Sequence, residues 1–156
     1  MSERLIINVA EIEADGLDVR GELPGEVLDL HEDRLSSLRP LQYTLLAQRT
    51  GEDVLVAGQA ATVVRCRCDR CLVYYDQDLR CPEVCHFFEA PVADTLDLTD
   101  LVREDLLLLL AQKNLCQPEC RGLCPRCGQN LNVRDCHCER EQRDAGVWDQ
   151  LNGLKL

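Results

Sequence analysis

A chain of 156 residues and 17.6 kDa with 46% apolar side chains has room for one domain with a real core, with or without an appendage. Its net charge of −11 excludes a protein that binds nucleic acid or anionic membrane with its whole surface. The longest apolar run, Leu106 to Ala111, is far too short to span a bilayer, and the acid-bearing stretch Met1 to Glu13 does not read as a signal peptide. A cytoplasmic, reducing location is the resulting expectation.

In chain order, Leu5 to Val9 reads as a short strand and Glu11 to Gly25 as acidic turns and connections. Leu41 to Arg49 has strand composition, and Thr50-Gly51-Glu52-Asp53 is a turn signal. Val54 to Cys68 predicts a long strand with Val54, Val56, Ala60, Val64 and Cys66 on the buried face. Gly58 interrupts that face and predicts a bulge. Cys68 to Cys71 makes the next reversal. Leu72 to Glu89 resumes the alternation with Val73, Tyr75, Leu79, Cys81, Cys85 and Phe87 on the apolar face. Asp97 to Gln112 predicts a helix: Asp97, Thr99 and Asp100 supply capping and first-turn acids, and Leu101, Val102, Leu106, Leu108 and Leu109 form an apolar stripe. Patterning then stops until Val147, Trp148, Leu151 and Leu154, which lie at helical spacing.

The elements predict an α+β protein: an antiparallel meander, curled toward a barrel, with one main helix and a C-terminal zinc-binding lobe. Residues 1–112 form the β-rich body with its helix at about 98–112, residues 113–143 the cysteine-rich lobe, and residues 144–156 a short amphipathic tail. The division follows charge as well as pattern. Residues 1–112 hold 10 basic and 22 acidic side chains, whereas residues 113–156 hold 7 and 6.

Cysteine is the outlier, with 11 residues. In a reducing compartment disulfides do not persist, and an odd count does not pair completely. Cys124-Pro125-Arg126-Cys127-Gly128 is a strong metal-knuckle signal, because two thiolates on one tight turn reach a single Zn²⁺ and the glycine permits the required positive φ. Cys68-Asp69-Arg70-Cys71 is a second such pair. A redox dithiol would open a helix after its strand, but here a strand pattern follows, which favours metal. Cys116 with Cys120 and Cys136 with Cys138 supply two further pairs, eight thiolates in all and enough for two closed sites. Proximity joins Cys124 and Cys127 to Cys136 and Cys138, leaving Cys68 and Cys71 with Cys116 and Cys120. Spacing alone leaves an interleaved arrangement, a single site, or His137 in place of one cysteine open. Cys66, Cys81 and Cys85 read as small buried apolar residues. No phosphate loop, nucleophile elbow or catalytic histidine set is present, so no enzyme is expected.

Cys68-Asp-Arg-Cys-Leu72, Asp97-Leu-Thr-Asp-Leu-Val-Arg-Glu104, Cys116-Gln-Pro-Glu-Cys-Arg-Gly-Leu-Cys-Pro-Arg-Cys-Gly-Gln-Asn-Leu-Asn132 and Cys136-His-Cys138 together resemble the YceD family, named for large ribosomal RNA subunit accumulation. The resemblance covers roughly Val54 to Cys138, and Asp144 to Leu154 is similar to the family's terminal segment. It implies a non-enzymatic role in 23S rRNA accumulation, with 23S rRNA, a pre-50S particle or a basic ribosomal protein as partner. The eight paired cysteines match the family pattern, whereas Cys66, Cys81 and Cys85 fall outside it, and Ala111 stands where the family often has proline. On the basic lobe, Arg121, Arg126 and Arg134 are the candidates for rRNA phosphate contact. The rival expectation is a zinc-stabilised protein–protein adaptor without RNA contact.

Overall fold

The computed structural model describes residues 4–30 and 33–138. The tail at 144–156, with its Val147 to Leu154 stripe, lies outside them. A five-stranded antiparallel sheet carries the fold: β2 (Leu17–Leu23), β3 (Leu35–Ser37), β4 (Leu41–Thr50), β5 (Asp53–Arg67) and β6 (Tyr74–Phe88). A separate pair joins β1 (Ile6–Asn8) to β7 (Thr95–Asp97), directly before helix α1 (Thr99–Leu107).

Strand β5 is the spine. Strand β6 runs along one edge, and β4 and β3 share the other, β4 against Asp53 to Ala61 and β3 against Val64 to Cys66. Beyond β4 lies β2, and β2 does not pair with β6, so the sheet stays open rather than closing into a barrel. Alternation decides which face is dry. Val54, Val56, Ala60, Val64 and Cys66 are all buried, as expected, together with Leu41, Leu45 and Ala47 of β4. Leu98, Val102 and Leu106 of the α1 region, Ile7 of β1 and Leu96 of β7 belong to the same core cluster. The opposite face of the sheet meets water.

Three expectations need correction. The segment Glu11 to Gly25 contains β2, an edge strand in which half-buried Leu17 and Val19 and buried Leu23 alternate with exposed Asp18, Arg20 and Glu22. The helix ends at Leu107, not near Gln112; a turn follows, and Leu108 is 83% exposed. In β6 the apolar face changes phase. Gly58 pairs with Val84 but Ala60 with Cys81, so Pro82 and Glu83 stand against the single residue Gln59. This bulge turns Val84 inward and puts Cys85 and Phe87 outside, where the sequence alternation had them buried. Gly58 is required there, since a Cβ would come within 2.2 Å of the Thr44 carbonyl oxygen.

A small polar knot ties the β1–β7 pair to the helix. The Thr99 hydroxyl accepts the Leu5 N–H at 2.8 Å, and the Asp97 Oδ1 accepts the Thr99 N–H at 3.0 Å. The Thr99 hydroxyl hydrogen bond, the Thr99 N–H and Arg4 hold the Asp97 carboxyl below its usual pKa, against the opposing effect of burial.

Candidate metal centres

Both Cys-x-x-Cys segments fold into the same turn. The Leu72 N–H donates to the Cys68 carbonyl at 2.9 Å, and the Gly128 N–H donates to the Cys124 carbonyl at 2.9 Å. In each the residue after the second cysteine is left-handed, Leu72 at φ 61° and Gly128 at φ 71°. Glycine enters that region freely, whereas leucine does so at a cost of about 1–2 kcal/mol.

The first turn caps the long hairpin between β5 and β6, and the Cys68 N–H closes it on the Val73 carbonyl. The segment after the helix is strapped onto it. Asp69 and Asn114 exchange two hydrogen bonds of 2.8 Å, the Arg70 Nη1 donates to the Cys120 carbonyl at 2.9 Å, and the Leu123 N–H donates to the Arg70 carbonyl. These straps bring Cys68, Cys71, Cys116 and Cys120 together, with all four sulfurs within 4.8 Å of one another. The Cys68–Cys120 and Cys71–Cys116 separations are 3.7 and 3.6 Å. A tetrahedron with 2.3 Å metal–sulfur bonds has edges of roughly 3.8 Å. The cluster therefore has the size of a four-sulfur metal site. Cys68, Cys71 and Cys120 are buried.

The second cluster, Cys124, Cys127, Cys136 and Cys138, also lies within 4.8 Å and is built almost wholly from its own loop. Leu123 and Asn130 form an antiparallel bridge, and the Cys124 N–H donates to the Gln129 carbonyl. Only Cys124 is buried; Cys127 is exposed and the other two are intermediate. The grouping is the one expected from proximity along the chain, and the four-sulfur set is complete without His137.

The profile of a family described as large ribosomal RNA subunit accumulation protein YceD matches residues 56–155. The chain belongs to the YceD family. Among curated relatives, a chloroplastic YCED homolog 1 of Arabidopsis thaliana is 36% identical over 42% of this chain and 20% of its own. The corresponding Zea mays protein is 35% identical over 54% of this chain and 28% of its own, so the chain spans about a quarter of these plant proteins. An uncharacterized protein of Mycobacterium tuberculosis is 28% identical over 84% of this chain and 75% of its own. No solved structure matches.

In this YceD chain each cluster sets one thiol against another. Burial pushes the Cys68 thiol up, but backbone N–H groups of Cys116, Cys71 and Arg70 outweigh it and bring the pKa to about 6. Burial and hydrogen bonding to Cys71 push its neighbour Cys116 up to about 12. In the second cluster the N–H groups of Cys127 and Arg126 lower Cys124 to about 6, while hydrogen bonding to Cys127, then burial, push Cys138 up to about 12. Four sulfurs this close cannot all ionise beside one another. A divalent cation removes the conflict, because it binds all four as thiolates. Zn²⁺ at either centre would be held by four sulfurs in a closed shell with no position for water or substrate.

Sequence reasoning missed Asn132. Its Nδ2 donates to the Cys120 sulfur at 3.3 Å, its Oδ1 accepts the Arg121 N–H at 2.7 Å, and its N–H donates to the Asn130 Oδ1. It is an outer support for the first centre, reaching in from the loop that carries the second. The signal was present in the Asn130-Leu131-Asn132 string, but an amide that orients a sulfur has no spacing rule. The three lobe arginines are exposed. Arg121 pairs with Asp135, and the Arg134 Nε donates to Gln129 at 3.0 Å. Among the remaining cysteines Cys66 is buried as expected, Cys81 is half-buried against the core and Cys85 is exposed. His86 pairs with Asp105 of the helix at 2.8 Å.

Proposed function

We propose that this chain is a non-enzymatic assembly factor that supports accumulation of large-subunit ribosomal RNA, folded around two Zn²⁺ ions and acting on 23S rRNA within a pre-50S particle. The observation that carries the reading is the match of residues 56–155 to a family of that description, within which both four-cysteine clusters fall. Closed thiolate centres serve structure rather than turnover. Eleven unbridged cysteines fit the reducing cytoplasm.

In this reading the lobe at residues 113–143 meets RNA while the acidic body faces away or neutralises a basic ribosomal protein. Arg121, Arg126 and Arg134 contact phosphate. Replacing all three by alanine is expected to leave zinc content at two per chain, to weaken binding to 23S rRNA fragments, and to flatten its salt dependence, since fewer counterions are released. Lost zinc with unchanged affinity would assign the arginines to balancing the negative thiolate centres instead. The pairing of Arg121 with Asp135 favours a second reading, a zinc-stabilised protein adaptor. Crosslinking in cells that recovers protein and no rRNA would establish that one.

A further inference from the structure

The two metal turns differ at one position in a way that packing does not explain. Gly128 takes the left-handed position of the second turn, whereas the first turn places Leu72 there at φ 61°. Leu72 is 44% exposed, so the strain is not offset by burial. Its neighbours Val73 and Tyr74 are 49% and 53% exposed. Three consecutive exposed apolar side chains, the first in a strained conformation, stand at the tip of the β5–β6 hairpin. Strain retained beside an exposed aromatic points to use of the side chain.

The strip is built, not loose. The Arg67 Nε donates to the Leu72 carbonyl at 3.3 Å, and the Arg67 guanidinium lies 5.9 Å from the centre of the Tyr74 ring, within cation–π range. The Tyr74 hydroxyl donates to the Asp33 carbonyl at 3.1 Å. From Tyr74 the water-facing side of the sheet continues through Asp76, Asp78 and Arg80 on β6, opposite Arg67, Arg65, Val63 and Ala61 on β5. Arg65 bonds Asp76 and Arg39 stands close by, and together they hold that carboxyl below its usual range. Arg39 and Arg80 line one open depression of about 620 Å³ at the far end. The strip thus carries Arg67, Arg65, Arg39 and Arg80 against Asp76 and Asp78, which pair with Arg65 and Arg80, leaving a local balance of two positive charges on a chain of net charge −11.

We propose that this face is a docking surface for single-stranded RNA, with bases stacking on Tyr74 and Leu72 and the backbone following Arg67, Arg65, Arg39 and Arg80. Tyr74 to Arg80 spans about 20 Å of strand, enough for a site of about four nucleotides, the small end for stacking platforms. One exposed aromatic beside a row of guanidinium groups suits an unpaired base followed by phosphates, and a local positive balance on an acidic chain matches a polyanion. The proposal rests on the RNA reading above but moves the base contacts from the lobe to the sheet.

The test uses the full-length, zinc-loaded chain and fluorescent single-stranded fragments of 23S rRNA. Tyr74→Ala is expected to weaken binding about tenfold or more, with zinc content unchanged. Leu72→Gly is expected to weaken binding while leaving the thermal midpoint unchanged or raised, because it relieves the backbone; a structural role for Leu72 would lower the midpoint and spare binding. Arg39→Gln with Arg80→Gln should flatten the salt slope. If Tyr74→Ala and Leu72→Gly both bind like wild type while the triple lobe variant does not, the sheet proposal is overturned and the RNA reading stands. If the wild type binds no fragment, both are overturned. Tyr74-dependent capture of a ribosomal protein by a chain that binds no RNA would give this face to a protein instead.

Discussion

The two cysteine clusters have the same ligand count and nearly the same turn, yet they are embedded differently. The first is bolted to the sheet: two sulfurs cap the β5–β6 hairpin, two come from the strap after the helix, and three of the four are buried. The second is assembled from residues 124–138 and leaves Cys127 exposed. Chemistry alone makes them equivalent; their placement makes one a keystone of the body and the other the fold of a loop.

The largest effect should come from Cys68→Ser with Cys71→Ser. The strap from Asn114 to Cys120 loses its anchor, and denaturant unfolding should show a loss of more than about 4 kcal/mol, in the class of lost metal sites. A loss below about 1 kcal/mol would make the two clusters alike after all. Cys124→Ser with Cys127→Ser should be milder and local. Hydrogen exchange is expected to rise across residues 122–138 while Val54 to Val64 keep their protection. Elemental analysis should read about two zinc ions for wild type and about one for either double variant.

Between these lies Asn132, the amide that couples one cluster to the other's loop. Asn132→Ala is expected to lower zinc affinity at the first centre about 10- to 100-fold, as outer-shell losses do. Chelator competition measures it, and a change confined to the second centre would contradict the assignment. A metal-independent anchor provides the baseline. Asp97→Asn, which keeps an acceptor oxygen but loses the charge, should cost about 0.3–1 kcal/mol, with zinc content unchanged. Because its folded pKa is depressed, that stabilisation is present above the unfolded value of about 3.9 and is lost as pH falls through the lower folded value. Wild type and variant should therefore converge in acid. Most local is Gly128→Ala. Its Cβ meets open space, so the left-handed backbone alone should cost about 1–2 kcal/mol, felt only in the second loop's exchange.

The sheet's long strands were legible because one face is dry: β4 and β5 show it in Leu41, Leu45, Val54, Val56 and Val64. The edge strand β2 was missed although Leu17, Val19 and Leu23 alternate with Asp18, Arg20 and Glu22, because Gly21 interrupts the apolar positions and only Leu23 is buried. Gly58 announced a bulge, and the register does shift between Gly58 and Ala60, but β5 alone does not tell that the extra residue falls on β6 at Pro82 and Glu83, so Cys85 and Phe87 were placed on the wrong face. The cysteine clusters were legible as pairs of pairs. What joins them, Asn132 to Cys120 and Asp69 to Asn114, depends on tertiary approach and leaves no period behind.

The chain separation within each cluster also sets a timetable. Cys71 and Cys116, partners in the first, are 45 residues apart, whereas the second closes within residues 124–138. Closing a loop about three times longer costs about 1 kcal/mol more in chain entropy, and the first centre further requires the hairpin and helix to be in place. The distal loop is then able to capture zinc while the rest is still a coil. The proximal centre fills last, and rapid-mixing zinc uptake should show two phases, the slower one tracking sheet formation and absent from Cys68→Ser.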